Sequence, residues 1–540
     1  MKYLQLSLTA LLICIIMYMP AEGQTPELVK DIKEGPLSGA YGEIVVANNR
    51  MFFAADDGIN GIELWSSDGT EAGTNLLKDI RTGSASSFVE MLTVMDDKVY
   101  FRANDNIHGI EIWVSDGTES GTHLLKDIRE GSATSNPSDL TPINGLLYFN
   151  ANVPGWGSEP WISDGTEAGT QMLLDINPNG DSYPFHFTGA TGMVFFSAET
   201  DLNGLELWRT DGTAEGTTMV KDIYPGISSS WPEKLAVHDD ILYFIADDGL
   251  HGNELWRSDG TEAGTYMVKD IRSGSMGSEI GEITSAGMYF YFRANDGVHG
   301  PEIWRSDGTE AGTELIIDLY PGNSTFYPPY NLTVFGNLLV FVGFEDANTG
   351  KELYITNGEA SGTALLKDIF PGGFSSEPDF LFPVGNEIYF QANDGINGFE
   401  LWKTNGTTSG TIMVSDMNPG MPSSWPNYFV MFENSLYFNA TESSVGYEFW
   451  TLPDITYLTA EKVDLTDFIV FPNPARNMIT IKSTSVEIQN IKIVNLMGVL
   501  VYHEASSETK VTISIDHLMP GIYFLMINGD HKAEKLIVRH

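Results

Sequence analysis

Apolar positions along this chain fall in short runs broken by Gly, Asp, Asn and Ser, and no 3.6-residue period persists beyond the first twenty or so residues. An aromatic run, Val99-Tyr100-Phe101, returns as Leu147-Tyr148-Phe149, Leu242-Tyr243-Phe244 and Leu436-Tyr437-Phe438. A second run, Leu76 to Ile80, precedes a Gly/Ser-rich loop and a third apolar stretch, Met91 to Met95. A fourth is Glu-Leu-Trp, as at Glu63-Leu64-Trp65. Runs of this length, rich in β-branched and aromatic residues and bounded by turn formers, predict strands. The chain reads as all-β.

These runs repeat. Trp65, Trp113, Trp161, Trp208, Trp256, Trp304, Tyr354, Trp402 and Trp450 recur at intervals of 47 to 50 residues, giving nine units of four strands. The fourth run is joined to the next unit's first by Ser-Asp-Gly-Thr, in which Asp68-Gly69 or Asp116-Gly117 tolerates positive φ in a tight hairpin. Four antiparallel strands per 48-residue unit predict a β-propeller of about nine blades rather than a β solenoid, whose coils are shorter and parallel. An eight-bladed ring with one irregular unit is the alternative. The chain ends argue for closure: Leu28 to Ile32 has no Glu-Leu-Trp before it, and Glu448-Phe449-Trp450 has no Asp-Gly-Thr hairpin after it. Residues 28–32 should therefore pair with 448–450 in one shared blade.

The string Glu-Leu-Trp-x-x-Asp-Gly-Thr-x-x-Gly-Thr, as at Glu254 to Thr265, resembles the bacterial ELWxxDGT repeat family over about residues 26–455. The resemblance implies a secreted or surface β repeat protein and brings no substrate with it.

Charge and the two ends complete the layout. The 540 residues carry a net charge of −44, which repels phosphate backbones and disfavours nucleic-acid binding. Residues 1–23 read as a signal peptide, with Lys2 before the apolar stretch Ala10 to Met19 and cleavage before Gln24. The one cysteine, Cys14, lies inside it, so the mature chain has no thiol chemistry and no transmembrane segment is expected in it. A Pro-containing connection leads to a linker at 456–465, and from Thr466 to His540 seven basic residues balance seven acidic ones. That tail has six strand-like runs, predicting a small Ig-like β-sandwich over 466–540. Its landmarks, Phe471-Pro472-Asn473-Pro474, Gly498, Gly521 with Tyr523, and Lys535, resemble the type A sorting domain of the type IX secretion system of Bacteroidota. The resemblance implies Sec export, recognition by the type IX secretion machinery, and release from the cell or attachment to its surface.

Candidate chemistry is sparse. Every unit keeps the Glu two before its aromatic anchor and the Asp of the Leu-Leu-Lys-Asp run, so both are read first as parts of the blade. In a regular hairpin that pairs Trp65 with Leu76, Glu63 faces Lys78 and a cross-strand ion pair follows. Because Leu174, Ile317 and Ser415 replace the lysine while the glutamate stays, backbone N–H groups are the alternative partners. Carboxylates also suit Ca²⁺, with Asp57 and Glu63, or Asp248 and Glu254, as ligands, and no other cofactor is indicated. His108, His251 and His299 stand where other units have Asn60, Asn203 and Asn397, which points to turn geometry. No catalytic motif is found. The variable loops carry aromatics, among them Tyr183, Phe185, Phe326, Tyr327 and Tyr330, suited to a glycan or surface-protein ligand. Trp231 and Trp425, in a shared Ser-Ser-Trp-Pro context, are read as plugs between blades. The sequence thus points to a non-catalytic binding or scaffold protein, with a propeller-type polysaccharide- or peptide-active hydrolase as the alternative.

Overall fold

The computed structural model describes residues 24–455 except 324, and beyond them 468–471, 475–483, 488–495, 500–515, 518, 521–527 and 533–538. The signal peptide, the linker, and Pro472, Asn473, Pro474 and Gly498 of the sorting motif lie outside the described residues.

Nine four-stranded antiparallel sheets form the blades. The first runs from Ala40–Ala47 through Arg50–Asp56 and Ile62–Ser67 to Asn75–Lys78. The strand that opens each sheet touches its counterparts on both sides; Ala40–Ala47 packs beside both Glu90–Met95 and Asn427–Phe432, so these strands ring a central channel. The ninth sheet combines Asn427–Phe432, Ser435–Glu442 and Gly446–Leu452 with Glu27–Lys30 from the other end of the chain. Glu27 faces Thr451, Leu28 faces Trp450 and Lys30 faces Phe449. The ring is closed by its own termini, with nine blades.

Packing explains why the aromatic run recurs. Alternate residues of the second strand point into the two gaps flanking a blade: Phe52 and Leu64 join Phe101 and Trp113 in one cluster, and Phe53 and Trp65 join Tyr437 and Phe449 in another. Phe53 and Phe449 lie 4.7 Å apart across the closure. Each fully buried Phe contributes about 1.5–3 kcal/mol of apolar burial.

The Asp-Gly-Thr hairpins are held by their own side chains. Asp68 Oδ1 accepts from Thr70 N–H at 3.0 Å and Thr70 O–H at 2.7 Å, and the hydroxyls of Ser67 and Thr74 meet at 2.7 Å. Gly73 recurs because a Cβ there would sit 1.9 Å from Asp68 Oδ1.

The predicted Glu63–Lys78 ion pair does not form. Trp65 pairs with Leu76 as expected, but a bulge then sets Leu64 opposite Lys78. The extra residue turns the lysine towards the neighbouring blade. Its ammonium donates to Thr122 O at 2.5 Å, and Lys30, Lys221, Lys269 and Lys367 reach Thr74, Thr265, Thr313 and Thr411 in the same way. The lysine is an inter-blade staple. Ser415 stands in its place where the next blade is the shared one, which has no Asp-Gly-Thr hairpin to offer a carbonyl. Leu174 and Ile317, in place of the lysine, pack instead against the apolar clusters between their blades and the next.

The tail consists of two sheets, one of Phe468–Phe471, Met478–Ser483 and Lys510–Ser514, the other of Leu500–Glu508, Ile488–Asn495, Gly521–Ile527 and Ala533–Val538. Ile479, Ile481, Ile493, Leu525 and Leu536 fill the core between them. This is the expected sandwich.

Candidate functional site

The glutamate kept in every unit is a clamp. Glu63, fully buried, accepts from Ile80 N–H at 2.9 Å and Arg81 N–H at 3.4 Å. Glu111 accepts from Ile128 N–H at 3.1 Å, Ser135 N–H at 2.9 Å and Ser135 O–H at 2.5 Å. Each glutamate thus ties the third strand of a blade to the end of its outermost strand and to the loop that leads inward. Burial outweighs these donors and pushes the carboxyls of Glu63, Glu111, Glu254 and Glu400 up to about 7, and Glu448 to about 8. Raised carboxyls that recur around the ring belong to the blade and single out no catalytic pair.

Asp57 and Glu63, and likewise Asp248 and Glu254, use their oxygens on different donors. Asp57 Oδ1 accepts from Ile59 and Asn60 N–H, both at 2.8 Å, and Oδ2 from the Asn60 amide at 2.7 Å. Asp248 does the same with Leu250 and His251, whose Nδ1 lies 2.8 Å from Oδ2. His108 and His299 repeat this geometry, so histidine and asparagine are interchangeable turn braces, as the sequence suggests. Asn203 instead donates to Asp222 at 3.0 Å. Among the described residues no group of three or more His, Asp or Glu is placed to hold a metal.

The two faces of the ring differ in chemistry. In a four-stranded blade, the loop leading into the innermost strand and the turn between the second and third strands open on the same face. Apart from Tyr266 and Ile412, every large hydrophobic residue exposed among the described propeller residues lies in these segments or at the adjoining strand ends. The turns present Ile59, Ile107, Leu202, Leu250, Val298 and Ile396, and the loops present Ile227, Phe326, Phe374 and Met421. Beside the aliphatic tips, Asp57, Asp105, Asp248, Asp296 and Asp394 are held below the usual carboxylate range by turn N–H donors, despite partial burial. The opposite face carries the Asp-Gly-Thr hairpins and is polar.

The aromatics singled out from the sequence all lie on the apolar face, but not as one platform. Phe326 is 83% exposed. Tyr327 stacks on Phe344 at 3.9 Å, and Tyr330 is half-buried with its hydroxyl donating to Glu377 at 3.2 Å. Tyr183 donates to Asp181 at 2.9 Å, and Phe185 stands beside His186 in another blade. Trp425 lies on Phe399 at 4.3 Å, whereas Trp231 stays largely exposed. Sequence reasoning missed the aliphatic tips, although their signal, Asp-Gly followed by Ile, Leu or Val, is repeated in plain view.

Nearer the channel, the innermost strands bulge. Met91, Asp139, His186, Lys234, Asn331, Phe380 and Tyr428 occupy the bulge with φ between +53° and +65°. The same backbone shape recurs with a different side chain in each of these blades. Neighbours join across the ring: Asn331 donates to Asp379 at 2.9 Å, and Asp139 accepts from His186 N–H.

Residues 469–539 match the family described as the secretion system C-terminal sorting domain. No curated protein matches the chain. Similar solved structures include the computationally designed Ika8 protein, at 19% identity and TM-score 0.38, covering 68% of this chain and 97% of that one. They also include PorZ, a surface component of the type IX secretion system of Porphyromonas gingivalis, at 13% identity and TM-score 0.33, covering 93% and 75%. A prolyl endopeptidase shares 12% identity at TM-score 0.39, covering 85% of this chain and 56% of the enzyme. Likeness this distant carries no activity across. Described residues contain no helix long and apolar enough to cross a membrane. Residues 469–539 are thus a C-terminal sorting domain of the type IX kind, which supports export to the outside of the cell, by secretion or at the cell surface.

Proposed function

We infer that the propeller is a non-catalytic binding module that type IX export brings to the cell exterior, and that it engages a polypeptide partner through its apolar face. The observation that carries this reading is the segregation of exposed hydrophobic side chains to one side of the ring. Scattered surface hydrophobics are ordinary, whereas their collection on one side of the ring, with the other side polar, supports an interaction face. Aliphatic tips such as Ile59 and Leu250 favour a protein partner, because sugars are held mainly by aromatic planes. The ionised aspartates beside them favour one that is basic as well as apolar.

A panel of surface proteins and glycans applied to the purified protein, with and without Ca²⁺, tests this. A basic polypeptide should bind, and Ile59→Ser/Leu250→Ser/Phe326→Ala, at three exposed tips, should weaken that binding without lowering the melting temperature appreciably. Glycan binding alone, or turnover of a panel member, would contradict the reading.

A further inference from the structure

The first blade departs from the repeat at its bulge. In the innermost strand of the second blade two residues, Met91 and Leu92, lie between the pairs Glu90–Arg102 and Thr93–Tyr100. In the first blade three residues, Gly42, Glu43 and Ile44, lie between Tyr41–Ala54 and Val45–Phe52. The added length is accommodated by Gly42 at φ +65°, whose carbonyl accepts from the Asn439 amide of the ninth blade at 3.0 Å.

A cavity of about 410 Å³ opens at this point, between the first and second blades and beside the ninth. That volume falls within the range of small-ligand pockets. Its walls include Tyr41 and Tyr428, with Met91, Glu43 and Glu90, and Phe88, whose ring already lies 6.0 Å from the Arg81 guanidinium. Glu90 is engaged by the Arg102 guanidinium. Glu43 is exposed in the wall, and partial desolvation of its carboxyl raises its pKa. A carboxylate framed by aromatic rings suits an organic cation, which gains a charge-assisted hydrogen bond and contacts with π faces.

We propose that this cavity is a binding pocket for an alkyl-ammonium or guanidinium group of the kind carried by lysine and arginine side chains, with Glu43 as the anion and Tyr41 and Tyr428 as the aromatic wall. Because Tyr428 and Asn439 come from the shared blade, the pocket exists only in the closed ring. It is distinct from the Phe326 loop, so its failure leaves the apolar-face reading standing, and the reverse.

Calorimetric titration of the purified protein with acetyl-arginine amide, acetyl-lysine amide and the neutral isostere acetyl-citrulline amide tests the pocket. The cationic probes should bind and citrulline should bind at least tenfold more weakly. Glu43→Gln and Tyr428→Leu should each reduce cation affinity at least fivefold at an unchanged melting temperature. A tripeptide with a central lysine that binds more tightly than the lysine amide identifies a polypeptide side chain as the source; equal affinity identifies a free amine. Absence of cation binding at millimolar concentration, equal binding of citrulline, or unchanged affinity in Glu43→Gln would overturn the proposal.

Discussion

Glu448 accepts a hydrogen bond from Ile32 N–H at 3.1 Å, across 416 residues of chain. The same carboxylate accepts from Lys33 N–H at 3.4 Å. In other blades the equivalent clamp acts within a single hairpin, as Glu63 does with Ile80 across 17 residues. The ninth copy uses an ordinary blade contact to fasten the two ends of the propeller.

The clamps should be individually costly to remove. Glu111→Leu leaves Ile128 N–H, Ser135 N–H and Ser135 O–H buried without an acceptor. At about 1–3 kcal/mol for each orphaned group, the loss should be about 3 kcal/mol or more. Glu111→Gln retains one acceptor oxygen and should cost less. Urea unfolding midpoints of the two variants, compared with the parent, check the order.

The lysine staples allow a paired test. Lys78→Met removes the donor to Thr122 O while keeping the apolar stem, and should destabilise by about 1 kcal/mol, the worth of one net hydrogen bond. Ser415→Lys faces the blade that lacks the hairpin and should give no gain. An unchanged melting temperature in Lys78→Met, or a rise in Ser415→Lys, would contradict the inter-blade role.

Stability should fall as pH rises from about 5 to 8. Below pH 4.5 the clamp glutamates are protonated in both folded and unfolded chains and contribute no dependence. Between 4.5 and about 7 the unfolded chain releases protons that the folded chain retains, because burial raises the folded-state carboxyls to about 7 and Glu448 to about 8. Above that window the folded state holds buried charge. The turn aspartates act in the opposite sense: Asp68 and Asp116 are held low by Thr70 and Thr118, so their contribution is lost as pH falls below the usual carboxylate range. Melting temperature should peak near pH 4–5, and a curve that rises steadily to pH 8 would contradict the assignment.

Much of this architecture is legible in the sequence because a propeller repeats one local solution. The Trp anchors, the aromatic second strand and the unpaired ends at Leu28 and Trp450 specify nine blades and their closure. The misplaced lysine shows where legibility fails. Hydrophobic alternation gives strand register only while the pleat is regular, and the bulge before Lys78 shifts its facing without altering the apolar pattern. The same limit hid the pocket: one extra residue around Glu43 looks like a spacing fluctuation until the ninth blade is set beside it. The apolar face was hidden differently. Ile59 and its equivalents are single residues in turns, and only the ring gathers them on one side.

Closure of the ring underlies the clamp, the pocket and the common face, and a disulfide tests it most directly. Glu27 and Thr451 are directly opposed in the antiparallel pair, a placement within reach of a disulfide, and the chain's one natural cysteine is Cys14. Glu27→Cys/Thr451→Cys, made in a Cys14→Ser background, should oxidise to an intramolecular disulfide in nearly every molecule and raise the melting temperature. Thiols that stay free under oxidation, or that link only between molecules, would show that the ends do not meet.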